Sequence, residues 1–448
     1  MSNDKPLPVH ADLFEATLHA SLSNAALESM NFLNEIGMRY PDAISFASGR
    51  PYEEFFDVGL IHSYLDTFCA HLMRERGWSA GQVRRLLFQY GRTKGIIGDL
   101  IARHLELDER ITADPESIVV TVGCQEAMFC VLRALRRDGR DVVLAVDPSY
   151  VGLTGAALLA DMPVWPVRSG ASGIDLDDLS AQAARARAAG LRPRGCYVIP
   201  DFSNPEGVSL SVPHRRRLLD TAAREGLLLL EDNPYGLFHD GTALPTLKAL
   251  DTGRRVVYLG SFAKTGFPGA RVGYVIADQR VAGRRGEVCL LADHVAKIKS
   301  MVSVNTSPVA QALVGGKLLE HGCCLTAANA RETQVYQRNL RQVLDGLAAR
   351  FGGAGVSWNR PRGGFFIVLT VPFTADDAMC EYAAREHGVV WTPMSHFYTK
   401  GGLSQLRLAF SQLTPGQIET GLDRLAAFVR DSRSHRPVIS TSITISNG

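Results

Sequence analysis

From about Tyr90 onward, short apolar runs alternate with longer segments whose apolar residues recur every three or four positions, the pattern of strands alternating with helices. SIVVTVG, DVVLAVD, MPVWPV, RGCYVIP, GLLLLED, RRVVYLGS and ARVGYVIAD are the predicted strands. They are apolar at successive positions rather than at alternate ones, which suits strands covered on both faces. The Ala/Leu/Arg-rich segments between them then supply the crossovers of a parallel sheet. The fold class read from this pattern is α/β: a large, mostly parallel seven-stranded sheet domain over 86–310.

The flanks read differently. Residues 1–85 hold one helical pattern, NAALESMNFLNEIG, and then an irregular stretch, ISFASGRPYEEFFD, rich in Gly, Pro and aromatics. This is an N-terminal arm and part of a smaller domain. Beyond Ser307 the helical patterns PVAQALVGGKLLEHG and ANARETQVYQRNLRQVLDGLAARF precede the strand-like runs GGFFIVLTV, HGVVWTP and QLRLAF. They predict a smaller α+β domain over 311–430. The last eighteen residues, DSRSHRPVISTSITISNG, are Ser/Thr-rich without periodicity and read as a frayed tail over 431–448.

Composition narrows the function. With 448 residues, 46% hydrophobic and 21% charged, the chain has the make-up of a globular protein with a sizeable core. Forty-eight basic against 46 acidic residues leave a formal charge of +2, so no global field favours nucleic acid or an anionic membrane, and small-molecule partners are expected. The eight cysteines lack C-x-x-C spacing and read as reduced, mostly buried thiols. The twelve histidines show no ligand spacing, so no metal site is expected. MSNDKPLPVHADLFEATLH has no basic segment leading into an apolar run, and no stretch of about 18 apolar residues occurs, so a cytoplasmic enzyme is expected.

Signatures for NTP hydrolysis, dinucleotide binding, zinc proteolysis and α/β-hydrolase chemistry are absent. Three loops at predicted strand ends carry chemistry instead, and in parallel sheets ligands collect at those ends. The first holds Ser261, Lys264, Gly269 and Arg271. A lysine directly after an apolar strand is partly desolvated, which lowers its pKa and frees the amine to attack an aldehyde. Ser261 and Arg271 add the hydroxyl and guanidinium that would hold a phosphate beside it. The second holds Asp232 and Tyr235: a buried carboxylate could keep a pyridinium nitrogen protonated, although Asp-Asn-Pro is also good turn chemistry. The third, Gly123-Cys124-Gln125, opens a helix with Ala127, Val131, Leu132 and Leu135 on one face, and exposed N–H groups there bind anions. Asn204-Pro205-Glu206-Gly207 reads as a turn whose Asn amide could donate to a phenolate oxygen.

In this order the loops resemble the fold-type I pyridoxal-phosphate (PLP) aminotransferases, in the branch containing 2-aminoadipate and kynurenine aminotransferases, from about Asn24 to Ala427. The resemblance implies that Lys264 binds the cofactor aldehyde and Asp232 pairs with its ring nitrogen. Asn204 and Tyr235 would contact the ring oxygen, with Tyr235 among the catalytic groups. Tyr150 would stack on the ring, and Gly123, Cys124, Gln125, Ser261 and Arg271 would cup the phosphate. Arg407, in LRLAF, would grip the substrate α-carboxylate beside Asn204, and Arg50 in the arm would reach substrate. Tyr90 would reach the phosphate of a neighbouring subunit, implying a homodimer with shared sites. Cys124, Glu206 and Ala263 depart from the family pattern, which more often has Ser, Thr and a small hydroxyl residue there.

The segments NFLNEIGMRYPDAISFASGRPYEEFFD, VTVGCQEAMF, LGSFAKTGFPGARVGYVIADQ and AKIKSMVSVNTSP are similar to transaminases that make phenylglycines for nonribosomal peptide antibiotics. That likeness implies an arylglyoxylate acceptor and an (S)-arylglycine product, such as 3,5-dihydroxyphenylglycine. The alternatives are a 2-aminoadipate/kynurenine-type or other secondary-metabolite aminotransferase, and a PLP enzyme acting as a cyclase or lyase. A ligand-sensing regulator would need a DNA-binding module, and about eighty residues without a basic recognition helix precede the α/β region. Arg215-Arg216-Arg217 reads as a solvated helix face, His396 as a surface or core residue, and Phe55, Phe56, Phe267 and Tyr398 as candidate pocket walls.

Overall fold

The predicted strands form where the apolar runs place them, as β1 (Ile118–Val122), β2 (Asp141–Asp147), β3 (Val164–Gly170), β5 (Arg192–Val198), β6 (Leu228–Asp232), β7 (Val256–Ser261) and β8 (Val272–Ile276). The structure, a computed structural model, describes residues 13–14, 17–170, 172–241, 243–283, 285–352 and 355–434. The sheet has eight strands rather than the expected seven. A two-residue return, β4 (Gly173–Ile174), pairs antiparallel with Ser169 and Gly170 and is too short to leave a pattern in the sequence.

The strand order is β1-β8-β7-β6-β5-β2-β3-β4. Strands β7, β6, β5, β2 and β3 run parallel, and β8 is antiparallel to both of its neighbours. The continuous apolar runs have the expected cause. Leu230, Val257 and Val143 bury into one cluster, while their neighbours Leu229, Val256 and Leu144 bury into another across the sheet. The direction of chain progress reverses between β2 and β5, and at such a switch the carboxyl ends of the strands open a crevice for a ligand.

Helix α1 (Gly123–Leu135) follows β1 directly and buries Ala127, Val131, Leu132 and Leu135 against the sheet. Arg215 departs from the solvated-face reading. Its guanidinium is fully buried and donates to the carbonyls of Leu210, Pro245 and Pro200 and to Asp201. Lying in the first turn of a sheet-covering helix, it ties down loop carbonyls that would otherwise be buried without donors.

A second layer is built from α2 (Ala330–Phe351), α3 (Pro415–Ser434) and a four-stranded antiparallel sheet. Its strands β9 (Ser357–Trp358), β10 (Phe366–Thr370), β11 (Thr392–Pro393) and β12 (Gln405–Ala409) lie in the order β9-β10-β12-β11. The segment Ile44–Ser45 pairs with Val389–Val390. Phe46 then donates to the Val390 carbonyl at 2.8 Å and accepts from Ala409 at 2.7 Å, which carries Ala47–Gly49 across the face of the large sheet. Residues 431–434 of the expected tail belong to α3, and 435–448 lie outside the described residues. Among the described residues no helix is long and apolar enough to cross a membrane.

Candidate functional site

The carboxyl ends of β1, β2, β5, β6 and β7 share one edge of the sheet, and each is followed within a few residues by one of the singled-out side chains. Cys124, Gln125, Tyr150, Asn204, Asp232, Tyr235, Ser261, Lys264, Arg271 and Arg407 all line one cavity of about 220 Å³. Ala47–Gly49 and the β10–β12 face of the small sheet close it from the other side.

Asp232 ends β6 and is 3% exposed. Its Oδ2 accepts from the Tyr197 hydroxyl at 2.6 Å, and its Oδ1 lies 3.5 Å from the Cys124 thiol. Burial raises the carboxyl to about 6 against the pull of these two donors. A cation placed opposite would favour the carboxylate instead. Burial beside Asp232 pushes the Cys124 thiol well above its usual range, so it stays protonated and can donate. Tyr197 lies inside an apolar strand run and was not singled out from sequence; its phenol is the one strongly polar tip in that run.

Lys264 follows β7 on the loop that Ser261 begins. Its Nζ donates to the Gly49 carbonyl at 2.7 Å, and burial with the nearby guanidinium groups of Arg271, Arg407 and Arg50 lowers it to about 8. Roughly a tenth of it is therefore the free, nucleophilic amine at pH 7, against a negligible share for an ordinary lysine.

A set of hydrogen-bond donors gathers at the start of α1. No side chain caps that helix, leaving its first N–H groups available. Ser261 and Arg271 line the same cavity. Gly123 has φ +72°, and a Cβ there would overlap the Arg271 guanidinium, so the glycine makes room for the arginine. The side chains of Cys124 and Gln125 are spent elsewhere: Cys124 faces Asp232, and Gln125 Nε2 donates to the Gly152 carbonyl at 2.7 Å. What these two residues offer an anion is backbone N–H. This donor set fits a phosphate, and with Asp232 and Lys264 on the same walls the cavity suits a phosphorylated pyridine aldehyde.

Arg407 closes the opposite end. It is 4% exposed and lies between the Phe366 and Phe397 rings, 4.3 and 4.7 Å from their centroids. It donates to Asn204 Oδ1 at 2.6 Å and to the Ala47 carbonyl at 2.9 Å, while its Nε is buried without a partner. Tyr235 is buried with its ring edge-on to Phe365 and Phe366, and burial raises its phenol.

Other expectations fall outside the cavity. Tyr90 is 87% exposed. Arg50 is exposed too, although its charge is felt at Lys264 and its carbonyl accepts from Ser411 at 2.6 Å. The aromatic residues lining the cavity are Tyr150, Tyr235, Phe366 and Phe397, not Phe55, Phe56, Phe267 or Tyr398. His396 bonds Ser29 and Asp377 in a neighbouring cleft.

Comparison with known proteins agrees with this arrangement. Residues 83–425 match the family model for class I and II aminotransferases. The chain is 59% identical to the (S)-3,5-dihydroxyphenylglycine transaminase of Amycolatopsis orientalis over 92% of its own length and 94% of that protein. Among solved structures, an archaeal alanine:glyoxylate aminotransferase superposes with a TM-score of 0.78 at 25% identity, covering 91% of this chain and 96% of that one. The α-aminoadipate aminotransferase of Thermus thermophilus, complexed with N-(5'-phosphopyridoxyl)-L-leucine, superposes at 0.72 with 28% identity, covering 91% and 97%.

Proposed function

Because the chain belongs to the class I and II aminotransferases and uses pyridoxal 5'-phosphate, we propose that it moves an amino group onto an arylglyoxylate to give an (S)-arylglycine, with 3,5-dihydroxyphenylglycine as the product. The observation that carries this is the near full-length 59% identity to a transaminase of that name. It is supported by a cavity whose lining, with Asp232, Ser261, Lys264 and Arg271, suits that cofactor. We place the reaction in the cytoplasm and in the supply of arylglycines to peptide antibiotics.

Ser261, Arg271 and the α1 N–H groups would hold the phosphate, Asp232 would keep the ring nitrogen protonated, and Tyr150 would cover the ring. Tyr235 and Asn204 would meet the ring oxygen. When bound, the cofactor supplies an aldehyde that takes up the amino group and a protonated ring that withdraws electrons from the reacting carbon. Lys264 would hold the aldehyde between turnovers. Its amine would take the proton from the substrate α-carbon and give it back as the amino group changes hands. A pKa near 8 suits both tasks, since the amine exchanges its proton near neutral pH.

Arg407 fixes the α-carboxylate through a paired contact, its plane already held by Phe366 and Phe397. Arg50 approaches substrate from the arm. Tyr90, exposed in one chain, reaches the phosphate of a second copy in a homodimer with shared sites. Incubation of the holoenzyme with 3,5-dihydroxyphenylglyoxylate and a panel of amino donors, followed by chiral analysis, tests the reading. An (S)-amino acid formed in step with loss of the donor is expected. Consumption of the oxo acid without amino product would replace transamination by a lyase or cyclase reaction.

A further inference from the structure

Glu206 stands where the family pattern has threonine, and its surroundings are unusual for a carboxyl group. The side chain faces an apolar cavity of about 20 Å³ lined by Val146, Ile174, Val198 and Leu210. That is room for roughly one water. Among the described residues its side-chain partner is Ser169, whose hydroxyl donates to Oε2 at 2.8 Å. No lysine or arginine pairs with it among the described residues. Asp147, at the end of β2, is the charge that faces it, and the Tyr398 phenol stands near both acids while donating to Gln405. Arg168 is engaged with Asp175 at 3.1 Å, and His214 with the Ile174 carbonyl.

The loop that carries Glu206 is joined to the substrate end of the site twice. Asn204, two residues earlier, accepts from Arg407 at 2.6 Å. The Glu206 carbonyl accepts from Asn359, whose own Oδ1 accepts from Val368 N at 2.9 Å. Val368 is the strand partner of Arg407 across β10 and β12. A Cβ at Gly207 would sit 2.7 Å from the Phe366 carbonyl oxygen, so the turn has no slack against the small sheet.

We propose that Glu206 is a positioning residue which, in its neutral form, seats the Asn204–Gly207 turn and thereby aims Arg407 at the substrate carboxylate. Ionisation places a second negative charge beside Asp147, at a half-buried position whose adjoining cavity holds roughly one water. The side chain is then driven toward water and the turn loosens. Burial already holds the carboxyl up at about 7, so the change falls near neutral pH.

The inference rests on the reading that Arg407 binds the carboxylate. The test uses the half-reaction of the aminated holoenzyme with 3,5-dihydroxyphenylglyoxylate, which carries no amine to titrate. In the native enzyme KM should rise roughly five- to tenfold between about pH 6 and about pH 8, with kcat little changed, as expected when only the neutral form binds well. Glu206→Gln should flatten the KM profile. Ser169→Ala, which removes the donor that favours the carboxylate, should move the rise to higher pH. A Glu206→Gln profile identical to the native one, or a Ser169→Ala profile that stays in place, overturns the proposal. If Arg407→Gln leaves KM unchanged at every pH, the carboxylate assignment itself fails and takes this proposal with it.

Discussion

The two ends of the cavity are built in opposite ways. At the cofactor end, Asp232 and Ser261 close apolar strands and Lys264 and the start of α1 follow them within a few residues, so the sheet sets their backbone positions, with Gly49 of the N-terminal segment holding the Lys264 amine. At the substrate end, Arg407 is set by Ala47, Asn204, Phe366 and Phe397, drawn from the N-terminal segment, a large-sheet loop and the small sheet. Chemistry common to a family can sit on short, strand-anchored loops. Selectivity for one substrate depends on how two layers meet, which many distant residues decide.

The largest test of the cofactor end is Lys264→Ala. Turnover should be lost altogether while PLP still binds through the phosphate and Asp232 contacts; repeated turnovers measured for that variant would remove the lysine from the chemistry. At the substrate end, Arg407→Gln should cost about 3 kcal/mol, on the order of a hundredfold in kcat/KM, as expected when a buried, hydrogen-bonded charge is truncated. The loss should lie mainly in KM. Equal losses for substrates with and without an α-carboxylate would show that the residue supports the fold rather than the ligand.

Tyr197→Phe removes one of the two donors on Asp232 and should weaken PLP affinity by about 1.5–3 kcal/mol, the range for a hydrogen bond to a charged group. Equilibrium titration of the apoprotein measures it, and an unchanged dissociation constant would mean that Asp232 is positioned by its strand alone. The smallest effect is on the pH dependence of Lys264. Because its pKa is lowered, the free amine should dominate above about pH 8, and PLP capture by the apoprotein should rise through that pH and then level off. A rise that continues toward the ordinary lysine range would place Lys264 in water.

The same contrast explains what could be read in the sequence. Lys264 is legible through its spacing to Ser261, Gly269 and Arg271 after an apolar strand, whereas Asp232, at the end of its strand, reads equally as turn chemistry until the loops are taken together. Arg407 was found through family resemblance, since nothing in LRLAF tells which way its third residue points. Tyr197 stayed hidden because a tyrosine inside an apolar run looks like core, which in part it is. The aromatic walls were misjudged for a longer-range reason: Phe366 and Phe397 reach the cavity only because β10 and the turn after β11 dock against the large sheet. Arg215 was read as solvated because a helix pattern does not reveal unpaired loop carbonyls beneath its first turn.

Single-turnover spectral titration of the PLP form with phenylglycine, its hydroxylated forms, 2-aminoadipate and kynurenine decides the substrate class. Only the arylglycines should bleach the cofactor band, leaving the aminated cofactor and the matching arylglyoxylate. Inert arylglycines beside a reactive 2-aminoadipate or kynurenine would contradict the substrate assignment while leaving the aminotransferase site as described.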